Sequence, residues 1–257
     1  MKLTKKILAF VLVAALLVTP WSSAQATTYT SLSYTNGYSV VDGVNYEKYT
    51  VYGSTSGHSE TATVLEFHPD DGYIPMAFAA HAGSVDTLAS QFSTAESKYG
   101  YEVVGIINGS YFDTSTGTLT GMLVSGGKLS STAFGYYSVG DAIDVVAFGY
   151  DGSMNCVTSQ LSHSMYINGT LVPNALRLVN KAQSDETYRT DAIFYYDTSC
   201  GSYADSSYGY EIVCKKVDGT DLAIGKTMKA EVVQINGYTS GSAISEDTFV
   251  LSTPSNS

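Results

Sequence analysis

Apolar and polar residues alternate along most of this chain with a period of two, the pattern of strands that bury one face. The period is plain at Tyr49, Thr50, Val51 and Tyr52, over residues 61–67, and over 74–79. It returns after residue 120 as a series of hairpins. Met122, Leu123 and Val124 turn through Ser125, Gly126 and Gly127 into Lys128 and Leu129. Runs 143–150 and 154–158 flank Asp151-Gly152, and runs 165–167 and 170–172 flank Asn168-Gly169, the strongest two-residue hairpin signal in the chain. Further strands are predicted over 192–196, 210–216, 228–235 and 249–251. One stretch breaks the period: Val85, Leu88, Ala89, Phe92 and Ala95 fall at helical spacing. Ser84 is its candidate N-cap and Gly100 its stop, with Asp86 in the first turn and Lys98 in the last. The predicted class is α+β, a mainly antiparallel β-sheet with one principal helix packed on it.

That helix leads into the apolar run 103–107, which predicts a buried strand ending at Asn108-Gly109. Ser110, Tyr111, Phe112 and Asp113 follow, then a polar loop over 114–120, and Gly121 opens the next short strand. A strand delivering Asn, Ser, Tyr and Asp to one rim is a common way to build a polar pocket on a rigid frame.

The segment Ile106-Ile107-Asn108-Gly109-Ser110-Tyr111-Phe112-Asp113, with Gly121 to Gly127 after it, resembles the phosphodiester glycosidase family. That family includes the enzyme that uncovers mannose 6-phosphate on lysosomal enzymes. Its members carry an apolar strand ending in Asn-Gly-Gly-aromatic-Phe, often followed by Asp, then a Gly-containing hairpin. Ser110 stands where the family has its second Gly. The order of strands agrees loosely from about Tyr46 to Leu251. The resemblance implies hydrolysis of the bond between a sugar's anomeric carbon and a phosphodiester, with Asn108, Gly109, Ser110, Tyr111 and Gly121 at the sugar and Asp113 catalytic. Family members continue into an Arg-rich strand and an Asp-Gly-Gly-Gly-Ser segment that this sequence lacks, so the chain is expected to represent the first half to two-thirds of such a domain. A non-catalytic extracellular domain that binds glycans or other surface proteins is the alternative.

The amino terminus changes where such a protein works. Lys2, Lys5 and Lys6 precede an apolar run over 7–18, and Ala24-Gln25-Ala26 offers a small-x-small cleavage site. This predicts a secretory signal peptide over 1–26 and a secreted, extracellular product. A membrane anchor is disfavoured because the run is short and Pro20 follows it closely. Residues 27–45 read as a leader or edge strand, and 46–257 as one domain. Losing three lysines and no acid moves the formal charge from −11 to −14. Such an acidic chain repels phosphate backbones and excludes nucleic acid as a natural partner, without excluding a small phosphodiester in a local pocket.

The chemistry-bearing residues leave several readings open. Asp113 is the best-placed carboxylate for glycoside hydrolysis, or else a turn brace bonded to the loop backbone. No second carboxylate pairs with it: Glu102 stands at the wrong end of the run, and Asp141 and Asp144 are remote in sequence. Asn108 either binds a sugar hydroxyl or holds its own loop. Tyr111 can floor a sugar site, and Phe112 is expected in the core. Ser110 lacks the Gly-x-Ser-x-Gly elbow of a nucleophile. His81 stands at a predicted strand end, and no His stands at metal-ligand spacing. A divalent cation has one candidate place, the acidic turn His68-Pro69-Asp70-Asp71-Gly72, which is also an ordinary turn sequence. Cys156, Cys200 and Cys214 either include a Cys200–Cys214 disulfide or are all reduced.

Overall fold

The computed structural model describes residues 29–254, apart from 55–56, 69–70, 80–84, 101, 110, 116, 133–141, 173–175, 182–192, 205, 207–208 and 240. The predicted signal peptide, Ser84, Ser110, His81 and Asp141 lie outside the described residues. The chain divides into two compact units, residues 1–73 and 74–257.

The first unit is a three-stranded antiparallel sheet of order β1-β2-β3, with β1 Tyr29–Val41, β2 Val44–Gly53 and β3 Ser59–Phe67. Cross-strand tyrosines are its main side-chain pairs. Tyr34 meets Tyr49 edge-on at 5.6 Å, and Tyr38 stacks on Tyr46 at 4.9 Å. Gly43, at φ +80°, makes the β1–β2 turn, and a Cβ there would sit 2.7 Å from an Asp71 carboxylate oxygen. Asp71 thus packs against the hairpin turn, and the Tyr73 hydroxyl donates to Asp42 O at 3.1 Å. Pro69 and Asp70 of the acidic turn lie outside the described residues.

The second unit is built on a five-stranded sheet of order β10-β11-β14-β12-β13. Its strands are β10 Leu176–Val179, β11 Ile193–Tyr196, β12 Gly209–Lys216, β13 Ala230–Thr239 and β14 Thr248–Pro254. β10 and β11 run parallel, and the other neighbours are antiparallel. Successive side chains of a strand point to opposite faces, and around β11 and β14 both faces of this sheet are buried, while β13 is mostly exposed. On one, Phe194, Tyr196 and Val250 pack with Leu178, Ala204 and Ile244. On the other, Tyr195 and Phe249 stack at 5.0 Å among Leu129, Leu176, Val179 and Cys214. Leu129 comes from a hairpin of β4 Leu123–Ser125 and β5 Lys128–Ser131, which closes over this second face. β6 Ala142–Phe148 pairs with β7 Met154–Gln160, and β8 Met165–Ile167 with β9 Thr170–Val172. The β8–β9 hairpin turns at Asn168 (φ +48°) and Gly169 (φ +81°), the two positive φ values that a type I′ turn needs.

The α+β expectation is overturned. The regular elements among the described residues are fourteen strands and a single 12-residue helix, α1 Leu88–Tyr99, so the fold is nearly all β. The helix is not the packed layer expected of it: Ala95 is its one buried side chain among those described, and neither core cluster contains a helical residue. Its apolar stripe of Leu88, Ala89, Phe92 and Ala95 has too little bulk to cover a sheet. It starts later than predicted because Thr87 supplies the cap, accepting from Ser90 N at 3.2 Å. Asp86 therefore precedes the first turn, and Gly100 ends the helix in the left-handed region. Two predicted strands are absent as well. Residues 74–79 and 103–107 have no ladder partner, and Ile107 is 64% exposed rather than buried.

The cysteines are all free thiols. Cys200 packs on one face of the central sheet and Cys214 on the other, so the sheet separates the pair considered for a disulfide. Burial raises the Cys214 thiol to about 11, which keeps it protonated and inert at neutral pH.

His163 sets one pH dependence. Its Nε2 accepts from Leu176 N at 3.2 Å at the start of β10, a bond only the neutral ring can make. Burial lowers its pKa below the ordinary 6.5, so the unfolded chain binds the proton more readily. The stabilisation is complete above about pH 6.5 and fades as pH falls toward the folded-state value. Urea midpoints measured across that window are expected to drop on acidification, and to drop less in His163→Gln, which keeps an acceptor without titrating.

Candidate functional site

The carboxyl ends of a parallel strand pair gather polar residues at one edge of a sheet, where open α/β sheets place their ligands. Here β10 ends into Asn180 and Lys181, and β11 ends into Asp197, all three buried. Asn180 adopts φ +52°, a strained value for a residue with a Cβ, and its side chain explains why it is tolerated. Its Nδ2 donates to Ser130 O at 2.9 Å and to Asp197 Oδ1 at 3.0 Å, while its Oδ1 accepts from Asp197 N at 2.9 Å. Asp197 Oδ1 also accepts from Ser199 N at 2.8 Å. Its other oxygen, Oδ2, accepts no hydrogen bond and faces the Lys128 ammonium at 3.1 Å.

Lys128 opens β5, with its side chain 24% exposed, and lies 3.8 Å from Asp221 Oδ2. Burial works against its charge, but Asp197 and Asp221 outweigh burial and hold its pKa above the ordinary value. Lys216 completes the chain of charges, with Nζ 2.5 Å from Asp221 Oδ1 and 2.8 Å from Glu246 O. Sequence reasoning passed over Asn180, Lys181, Asp197 and Lys128. The available signal was the placement of polar residues directly after the apolar ends of short strands.

The motif loop meets this region where Lys181 Nζ donates to Leu119 O. Phe112 and Leu119 form an antiparallel bridge, with Thr120 N donating to Tyr111 O at 2.9 Å and Asp113 N to Thr118 O at 2.9 Å. Asp113 closes the tip: its Oδ1 accepts from Ser115 N at 2.7 Å and from Ser115 Oγ at 2.5 Å, and its carbonyl accepts from Gly117 N at 2.7 Å. This is the Asx-type brace that the sequence left as one of two roles for Asp113. Asp113 is an exposed residue.

Asn108 and Gly109 are exposed, Tyr111 is 60% exposed, and Gly121 is half-buried just before β4. Phe112, expected in the core, is 41% exposed. The absence of a ladder over 103–107 explains this, because the alternation that was to turn Phe112 inward never begins. Chemically the loop offers an amide, an aromatic face, a carboxylate and backbone groups. Such a set suits sugar hydroxyls.

Among the described residues no group of three or more His, Cys, Asp or Glu side chains gathers as metal ligands. No helix among them is long and apolar enough to cross a membrane. Comparison with known proteins finds no matching family model, no matching curated protein and no matching solved structure.

Proposed function

We propose that the chain is a secreted protein that recognises a sugar phosphodiester at the 108–121 segment, the reading its resemblance to phosphodiester glycosidases suggests. The observation that supports it is the build of that segment. Asn108, Tyr111 and Asp113 are presented to solvent on a loop that is bridged internally at Phe112–Leu119 and tied by Lys181 to the buried end of β10. A fixed loop spends little ordering entropy when it binds, which is what a recognition surface requires. Hydrolysis is the further step the resemblance implies, with Asp113 acting on the glycosidic oxygen or the anomeric centre.

A second reading, glycan binding without cleavage, is favoured by one observation. Asp113 Oδ1 already serves Ser115 twice, and the carboxylate braces the loop. The two readings separate in one experiment. The purified protein is incubated with a sugar-1-phosphodiester while free sugar release and binding heat are both followed. Release that falls at least 100-fold in Asp113→Asn, with binding kept, is expected of the hydrolase. Binding without release in the wild type leaves the glycan-binding domain. Neither binding nor release from folded protein removes both readings.

A further inference from the structure

We propose that Lys128 and Asp197 are joined by an intramolecular amide bond that fastens the β4–β5 hairpin to the end of β11. The arrangement has the parts such a condensation needs. The Lys128 amine lies 3.1 Å from Asp197 Oδ2, the carboxylate oxygen that accepts no hydrogen bond. Asp197 Oδ1 is held by two donors, Asn180 Nδ2 at 3.0 Å and Ser199 N at 2.8 Å. Those donors stabilise the negative charge that gathers on Oδ1 when the carbonyl carbon becomes tetrahedral. A third group able to move a proton stands beside the amine, Asp221 Oδ2 at 3.8 Å.

The step balances without any added reagent. Asp221 takes one ammonium proton from Lys128 and passes it to Asp197 Oδ2, turning a carboxylate, a poor electrophile, into a carboxylic acid facing a neutral amine. Nζ then attacks Cγ, and a second proton leaves the nitrogen for Oδ2. The Cγ–Oδ2 bond breaks and one water departs, leaving the amide with Oδ1 as its carbonyl oxygen. Asp221 ends as it began. Holding amine and carboxyl together replaces a bimolecular encounter by a unimolecular one. The complete burial of Asp197 disfavours the reverse attack by water.

The neighbouring pair Lys216–Asp221 is closer, at 2.5 Å, yet lacks these features. The Asp221 side chain is 41% exposed, and neither of its oxygens has a pair of donors like those on Asp197 Oδ1. The selectivity for Asp197 thus rests on Asn180 and Ser199, and Asn180→Ala is expected to slow bond formation.

Mass spectrometry of the purified, denatured protein tests this directly. The expected result is a mass one water below that of the sequence, and a tryptic digest containing a branched peptide in which Lys128 and Asp197 are linked. Lys128→Arg keeps the charge but cannot form the bond, and is expected to return the full mass and two separate peptides. A wild-type protein of full sequence mass overturns the proposal. So does a water loss carried by one unbranched peptide, as an aspartyl succinimide gives, or a branch at Lys216. The wild-type mass and digest decide the matter even if the arginine variant fails to fold.

Discussion

Phe194→Ala is expected to cost the second unit about 4 kcal/mol, the range for removing a buried aromatic ring from a core that cannot collapse around the gap. Phe194 is fully buried in β11, where strands β10 and β14 flank it on both sides. Its ring lies 6.4 Å from that of Tyr196 and nearly parallel to it, and packs with Leu178, Ala204, Ile244 and Val250. Those neighbours are anchored by ladders in separate strands and loops, so little can move to fill the space. Denaturant titration is expected to show a lower midpoint with an unchanged slope, and thermal unfolding a fall of about 10 °C. Phe148→Ala, on the exposed β6, is the matched control and is expected to shift stability by less than about 1 kcal/mol. Equal costs at the two positions would contradict the assignment of the core.

Glu211→Ala is expected to cost about 3 kcal/mol, for a different reason. Glu211 is a carboxylate with no exposed surface, and it accepts from Gly241 N at 3.0 Å, Ser242 N at 2.8 Å and the Ser206 hydroxyl. Alanine leaves two backbone N–H groups and a hydroxyl without their acceptor, and each part-buried orphan costs on the order of 1 kcal/mol or more. Glu211→Gln keeps one acceptor oxygen but turns an NH2 toward a donor, so an intermediate loss is expected. The local readout is amide exchange: Gly241 and Ser242 are expected to lose protection before the β12–β14 ladder does. Wild-type exchange at those two amides in the alanine variant would show that Glu211 is not what holds the loop.

The hairpins were the readable part of this fold, because their signals are local. Asn168-Gly169 sets its own dihedral angles, and the flanking alternation needs only its partner a few residues away. Strand β10 was missed because its partner is not local: Leu176–Val179 is short and joins β11 in parallel across a connection with no turn signature. The opposite error at 103–107 has the same origin, since an apolar run becomes a strand only when another strand is there to pair with it. The helix was seen but its weight was overestimated, because periodicity reports a face and not the bulk that face can bury. At the candidate site, the tight Asp113 loop was legible from Asp, Ser, Thr and Gly. The Asn180, Asp197 and Lys128 network was not, as three segments far apart in sequence assemble it.

The position of β14 has a consequence for how the chain matures. Residues 248–254 lie between β11 and β12, so a strand made after β11, β12 and β13 is an interior one. Until it is available, β12 and β13 form a hairpin with an open side, and Phe194 and Tyr195 have nothing to pack against across the ladder. At about 5–20 residues per second, synthesis leaves that half-sheet waiting for seconds, with bare edges that invite pairing with other chains. The five-stranded sheet therefore closes only when β14 enters it, and a holding factor that shields strand edges during this interval would raise the yield of native protein more than one that speeds any earlier step.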